Sequence, residues 1–173
     1  MAYTISLTLD NIYDAVHNYL KTVTGLEAAK IVRAYQDNVP TPFGYPFIYM
    51  SVRQNTRNAT NESTYNKVTD SKSVKWSNIL DVQIDFYGQD SMDMAQVVKG
   101  LFRDGFSVDF FKDSGLVPLY ADEPMMSGSE DEKGNFMVRN TMSLHFNTHP
   151  TATVAQQYFE NAEVVVKNAE VLE

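Results

Sequence analysis

The chain has 173 residues, of which 43% are hydrophobic, and carries 14 Lys and Arg against 22 Asp and Glu for a net charge of −8. This length and mix suit one globular domain with a real core and exclude a disordered chain. With no Cys there is no disulfide framework, thiolate metal site or Cys nucleophile, and the acidic balance is poorly suited to gripping phosphate backbones.

No apolar run approaches the ~20 residues that span a bilayer. The opening MAYTISLTLDNIYD has neither a basic n-region nor an apolar h-region, so no secretory signal and no membrane attachment are expected. The expectation is a soluble intracellular domain. The charge is uneven: residues 1–80 sum to +2 and residues 81–173 to −10.

Asp10, preceded by Leu9, is expected to cap a first helix, with Ile12, Ala15, Val16, Tyr19 and Leu20 at helical spacing and Gly25 as its stop. Lys30 to Gln36 reads as a strand. Pro40, Pro42, Gly44 and Pro46 then forbid regular structure. Phe47 to Arg53 is a second strand. Gln54 to Asn66 holds four Asn and three Thr without periodicity and reads as a flexible loop. Its two sequons, at Asn58 and Asn61, are chance matches in a chain without a signal peptide.

From Val74 to Tyr87 apolar and polar residues alternate, which predicts a long strand with one buried face. At ~3.3 Å per residue it would span roughly 40 Å, so part of it is expected to project as a hairpin arm. Asp90 or Ser91 caps a second helix whose apolar face is Met94, Ala95, Val97, Val98, Leu101 and Phe102, with Gly105 as its end. Ser107 to Phe111 suits a short further turn. Leu116 to Glu123 reads as an edge or bulged strand because of Pro118. Ser127 to Gly134 is a turn or loop, and Phe136 to Phe146 alternates again. The predicted fold is α+β: a mainly antiparallel mixed sheet of four to five strands with two helices on one face, in the order α-β-β-β-α-β-β. Residues 1–160 form a single domain, and residues 161–173 are a C-terminal tail and candidate inter-subunit arm.

No catalytic constellation is assembled. His17, His145 and His149 read as surface or interface histidines, because a metal pair needs a rigid shared face and the bend at Pro150, beside His149, works against one. Asp81 and Asp85 share a strand face at about 13 Å and read as solvated carboxylates. Asp122, Glu123 and the 130–132 carboxylates lack the spacing of a calcium loop. No cofactor, catalytic residue or metal ligand is expected. Aromatic residues in loops, among them Tyr35, Phe43, Tyr45, Tyr120, Tyr158 and Phe159, suit either core edges or contact surface.

Five stretches, in order, carry a resemblance: YQDNVPTP from Tyr35, PFIYM from Pro46, DVQIDFYG from Asp81, PLYADEP from Pro118 and TVAQQYF from Thr153. Together they resemble the neck or tail terminator proteins of long-tailed bacteriophages and related prophages. The resemblance implies a ring-forming structural subunit, usually hexameric, and no enzyme. Such a ring ends the tail tube, meets the sheath in contractile phages and joins the tail to the head connector. DNA passes through without specific binding. The implied location is the virion neck or tail, after assembly in the host cytoplasm. Candidate assembly-interface residues are Tyr35, Gln36, Val39, Pro40, Pro42, Phe43, Tyr45, Tyr120, Asp122, Gln157, Tyr158 and Phe159. The acidic residues 81–173 are candidates for the channel lining. The rival readings are a head-completion adaptor, a tail-tube subunit, a small cation-dependent enzyme such as a nuclease, and a monomeric regulatory module.

Overall fold

A computed structural model describes residues 3–36, 41–42, 44–130 and 136–156. In chain order the elements are β1 (Tyr3–Ile5), α1 (Leu9–Thr24), β2 (Ile31–Arg33), β3 (Phe47–Arg57), β4 (Glu62–Asn66), β5 (Ser71–Lys75), β6 (Asn78–Tyr87), α2 (Ser91–Phe102), α3 (Gly105–Phe111), β7 (Leu116–Ala121), β8 (Met125–Met126), β9 (Ser129–Glu130), β10 (Phe136–Met137), β11 (Arg139–Thr148) and β12 (Thr151–Ala155). The fold is α+β. The main sheet has the order β2-β3-β6-β11-β7, with β8 also paired to β11, and is antiparallel except for β2 on β3.

The core lies between this sheet and the helices. Leu80, Val82, Ile84 and Phe86 of β6, with Leu144 and Phe146 of β11, turn one face toward Val16, Tyr19 and Leu20 of α1 and Val98 and Phe102 of α2. Each such side chain contributes about 1.5–3 kcal/mol by leaving water. Tyr19 is fully buried among Phe111, Phe110 and Phe102, at ring-centroid distances of 5.0, 5.5 and 6.0 Å. Its hydroxyl lies 2.8 Å from Ser107 Oγ, which is 2.7 Å from the Leu101 carbonyl. A carbonyl only accepts and Ser107 has one hydroxyl proton, so Ser107 donates to Leu101 and Tyr19 donates to Ser107.

Several expectations need correction. Among the described residues there are three α-helices, not two. Gly105 does not close α2; the Asp104 carboxylate accepts from the Phe106 N–H at 2.9 Å and starts α3 there. Thr8, not Asp10, caps α1: its hydroxyl accepts from the Asn11 N–H while Asn11 Oδ1 accepts from the Thr8 N–H. Asp10 instead pairs with Arg33. Gly25 does end α1, in the left-handed conformation. Among the described residues the main sheet has six strands, and there are two more sheets, β1-β12-β5-β4 and the pair β10-β9. The α-β-β-β-α-β-β order is therefore too short. The missed strands are either two or three residues long or, like β4 and β12, belong to a sheet that buries no residue, so no buried face marks them in the sequence.

The segment read as a flexible loop forms the end of β3 and all of β4. It pairs along the strand that follows it. β3 runs against β6 from Tyr87 to Asn78, and β4 continues against β5 from Lys75 to Ser71. Residues 47–66 and 71–87 thus make one long hairpin with its tip at 67–70. On the other side β11 pairs from Tyr87 to Asn78, and β12 resumes in the same register from Lys75 to Ser71. Only Trp76-Ser77 interrupts the ladder. There the Trp76 N–H donates to the Pro150 carbonyl at 3.2 Å, and proline has no N–H with which to return the bond. Beyond this joint the four-stranded sheet contains no buried residue, and its strands contact chiefly one another.

Candidate functional site

The helices leave one face of the main sheet open. On β6 it carries Asp81, Gln83, Asp85 and Tyr87; on β11 it carries Arg139, Thr141, Ser143 and His145. Period-two alternation puts these polar residues together, because the intervening residues fill the core.

At one end of this face stands an aromatic and ionic cluster. Tyr45 stacks on Phe47 at 5.5 Å and Phe47 on Tyr87 at 4.6 Å, and Tyr49 meets both Phe47 and Tyr87 edge-on. Arg139 lies 3.0 Å from Asp85, whose carboxylate also accepts from Thr141 at 2.7 Å and from Gln83 at 2.9 Å. Burial opposes the Arg139 charge, but its hydrogen bond and attraction to Asp85 outweigh this and hold the guanidinium more firmly protonated than usual. Burial pushes the Tyr87 hydroxyl up, with the Arg139 charge opposing. Arg33, Tyr35, Gln36, Tyr49, Asp85, Tyr87 and Arg139 enclose a pocket of about 250 Å³. Tyr35 stands at its rim in the left-handed region, φ 58°, with its ring 83% exposed and Arg53 at 6.0 Å from the ring centre. A bulky residue there stores about 1–3 kcal/mol of strain.

Toward the joint, His145 sits between two carboxylates. Its Nδ1 is 2.5 Å from Asp81 Oδ1 and its Nε2 is 3.1 Å from Asp122 Oδ1. These are ion-pair distances without good hydrogen-bond angles, so Asp81 Oδ1 and His145 Nε2 have no directional partner. Tyr120 stacks on the imidazole at 4.2 Å. The bulge between His145 and Phe146, opposite Pro118, brings Tyr120 into register with His145. The two carboxylates lie at opposite nitrogens of one ring and do not converge on a point. Among the described residues no group of three or more His, Asp or Glu is placed to hold a metal ion.

The predicted contact residues thus fall into two groups. Tyr35 and Gln36 join the pocket at Arg139, with Tyr45 stacked beside it; Tyr120 and Asp122 flank His145. Pro42 is half-buried beside Thr41, which accepts from the Tyr49 hydroxyl at 3.2 Å. Val39, Pro40, Phe43, Gln157, Tyr158 and Phe159 lie outside the described residues. Reading Asp81 and Asp85 as solvated carboxylates missed both ion pairs. Asp85 is buried, and its partner lies 54 positions away. The available signal was an alternating strand of opposite charge at Arg139. His149 lies near Asn147, and His17 near the Ala28 carbonyl, away from His145.

Comparison with known families decides what these clusters belong to. The family model described as phage neck terminator protein matches residues 10–170. The chain belongs to the phage neck terminator family. All five stretches that carry the resemblance lie inside the matched region. Membership makes the chain a structural component of the phage neck, and so of the virion. A search of curated proteins finds no match. No helix among the described residues is long and apolar enough to cross a membrane.

Proposed function

We propose that copies of this neck terminator close into a ring, hexameric as the resemblance implies. The ring stops the tail tube, and the sheath where one exists, and presents a surface to the head connector. The family match over residues 10–170 carries this reading. In it the chain works by shape, without a bond-making step, and DNA passes through the channel without specific binding. Particles complete their necks in the host cytoplasm.

The exposed Tyr35 rim, Tyr45 and the Tyr120–Asp122 edge supply contact surface, since aromatics on rigid supports lose little entropy on docking. Residues 1–160 act as the assembly domain and residues 161–173 as an arm toward a neighbour. Electron microscopy of particles lacking the protein tests the reading. Overlong or headless tails are expected. Full-length tails with leaking heads would instead mark an adaptor. Deleting residues 160–173 should leave a folded monomer that forms no ring; unchanged assembly by light scattering removes the arm role.

A further inference from the structure

The long hairpin gives the molecule two unlike ends. At one end Phe47 and Arg139 pair with Tyr87; at the other Arg57 and Thr148 pair with Asn78, and the hairpin continues past the joint. β5 adds five residues beyond it, about 16 Å at ~3.3 Å each. Val68 stands at the tip and is 94% exposed.

An apolar side chain this exposed is not held out by accident of disorder. The Val68 N–H donates to Asn66 Oδ1 at 3.0 Å, and the Tyr65 hydroxyl donates to Asp70 Oδ1 at 2.7 Å. Thr69 and Ser71 hydroxyls meet at 2.7 Å. The turn is built, and so already close to a docking shape. The sheet behind it buries no residue of its own, whereas small sheets normally need an apolar face covered.

The opposite end of the hairpin carries a hollow. Tyr45, Pro46, Gly88, Gln89, Asp90, Phe136, Met137 and Val138 enclose about 420 Å³. Phe136 and Tyr45 are exposed at 64% and 55%. Gly88, at φ +118°, leaves the space open: a Cβ there would meet Tyr45 Cβ at 3.3 Å and Pro46 Cα at 3.4 Å. The charges also match. Residues 57–75 sum to +2, while Asp90 lines the hollow and Asp93 is exposed one turn away.

We propose that the Val68 tip of one copy seats in the Tyr45–Phe136 hollow of the next copy. The proposal rests on the ring reading above and names the surfaces that make it. A knob and a hole at opposite ends give a head-to-tail contact, the kind that closes into a ring when the rotation permits. An apolar tip in an apolar hollow supplies the burial, and the basic hairpin against Asp90 and Asp93 sets the approach.

The chain lacks Cys, so introduced thiols report on a clean background. Val68→Cys and Phe136→Cys are made singly and together in the full chain, and folding is checked by circular dichroism. On oxidation the double variant should give a ladder of covalent oligomers ending at one closed size. Each single variant should stay uncrosslinked, and a mixture of the two should stop at a dimer. Val68→Asp should abolish assembly by light scattering with an unchanged melting temperature, and adding Asp90→Lys to the same chain should restore it. Crosslinking of Val68→Cys to itself would overturn the proposal by showing tip-to-tip contact. So would an assembling wild type whose double variant gives no ladder, and that result would leave the ring reading standing. A chain that is solitary at every concentration and absent from particles would overturn both.

Discussion

Arg139 lies 3.0 Å from Asp85 across neighbouring strands, on the sheet face that the helices leave open. Asp85 is 7% exposed and is further held by Thr141 and Gln83. Removing Arg139 would leave a buried carboxylate short of its charge partner. Arg139→Ala is therefore expected to cost about 2–3 kcal/mol in urea unfolding, below the full buried-pair figure because Arg139 is partly exposed. Adding Asp85→Ala should cost less than the two single losses together. A strictly additive cycle would show that the two residues are not coupled.

The Thr8 cap and the Asp10 ion pair should separate cleanly. Thr8→Ala removes a reciprocal cap and is expected to cost about 1 kcal/mol. Asp10→Ala removes one exposed partner of Arg33, which Asp14 still holds at 3.0 Å, and should cost no more than about 0.5 kcal/mol. Equal losses in thermal melts would contradict this assignment of the cap.

Burial pushes the Tyr19 hydroxyl above its ordinary value of 10.0. The folded chain thus keeps this proton more tightly than the unfolded chain does. The stability it supplies is complete below pH 10 and is lost as pH rises through the folded value. Unfolding midpoints measured upward from pH 9 should fall less steeply in Tyr19→Phe than in the wild type. Some alkaline slope should remain, because Tyr87 is shifted in the same direction by burial. Parallel slopes in the two proteins would rule Tyr19 out as a source.

Gly88 holds φ +118° against Tyr45 and Pro46. Gly88→Ala is expected to cost about 1–3 kcal/mol, since a side chain is strained at that angle and also meets backbone. The same substitution at Gly100 on α2, where nothing lies within 4 Å of the added Cβ, should instead stabilise by up to about 1 kcal/mol. Calorimetry of the two variants gives opposite signs if this account holds.

Periodicity exposed the parts whose two faces differ. α1 and β6 each bury one side in the common core, so their apolar residues recur at the element's own spacing. β4 could not be found that way. Both of its faces meet solvent, and Glu62 to Asn66 carries no buried position to alternate. The sequence shows α3 only as a short turn, because Gly105 reads equally well as a stop or a start. Only the Asp104 side chain on the Phe106 N–H distinguishes them. The candidate contact residues were chosen for their aromatic side chains. The ion pairs escaped because Asp85 and Asp81 each look like ordinary surface carboxylates until a second strand is placed beside them.

Order along the chain settled the helical face, the alternating central strands, the role of Pro118 at an edge, and the family to which the chain belongs. The first three follow from local preferences and nearest spacing, which every residue carries with it, whereas the family is carried by the five resembling stretches and the match over residues 10–170. Folding alone decided that Arg139 meets Asp85, that His145 falls between Asp81 and Asp122, and that a polar stretch becomes the far half of a hairpin. Those outcomes depend on register between distant strands, and register is set by the whole sheet closing over its core.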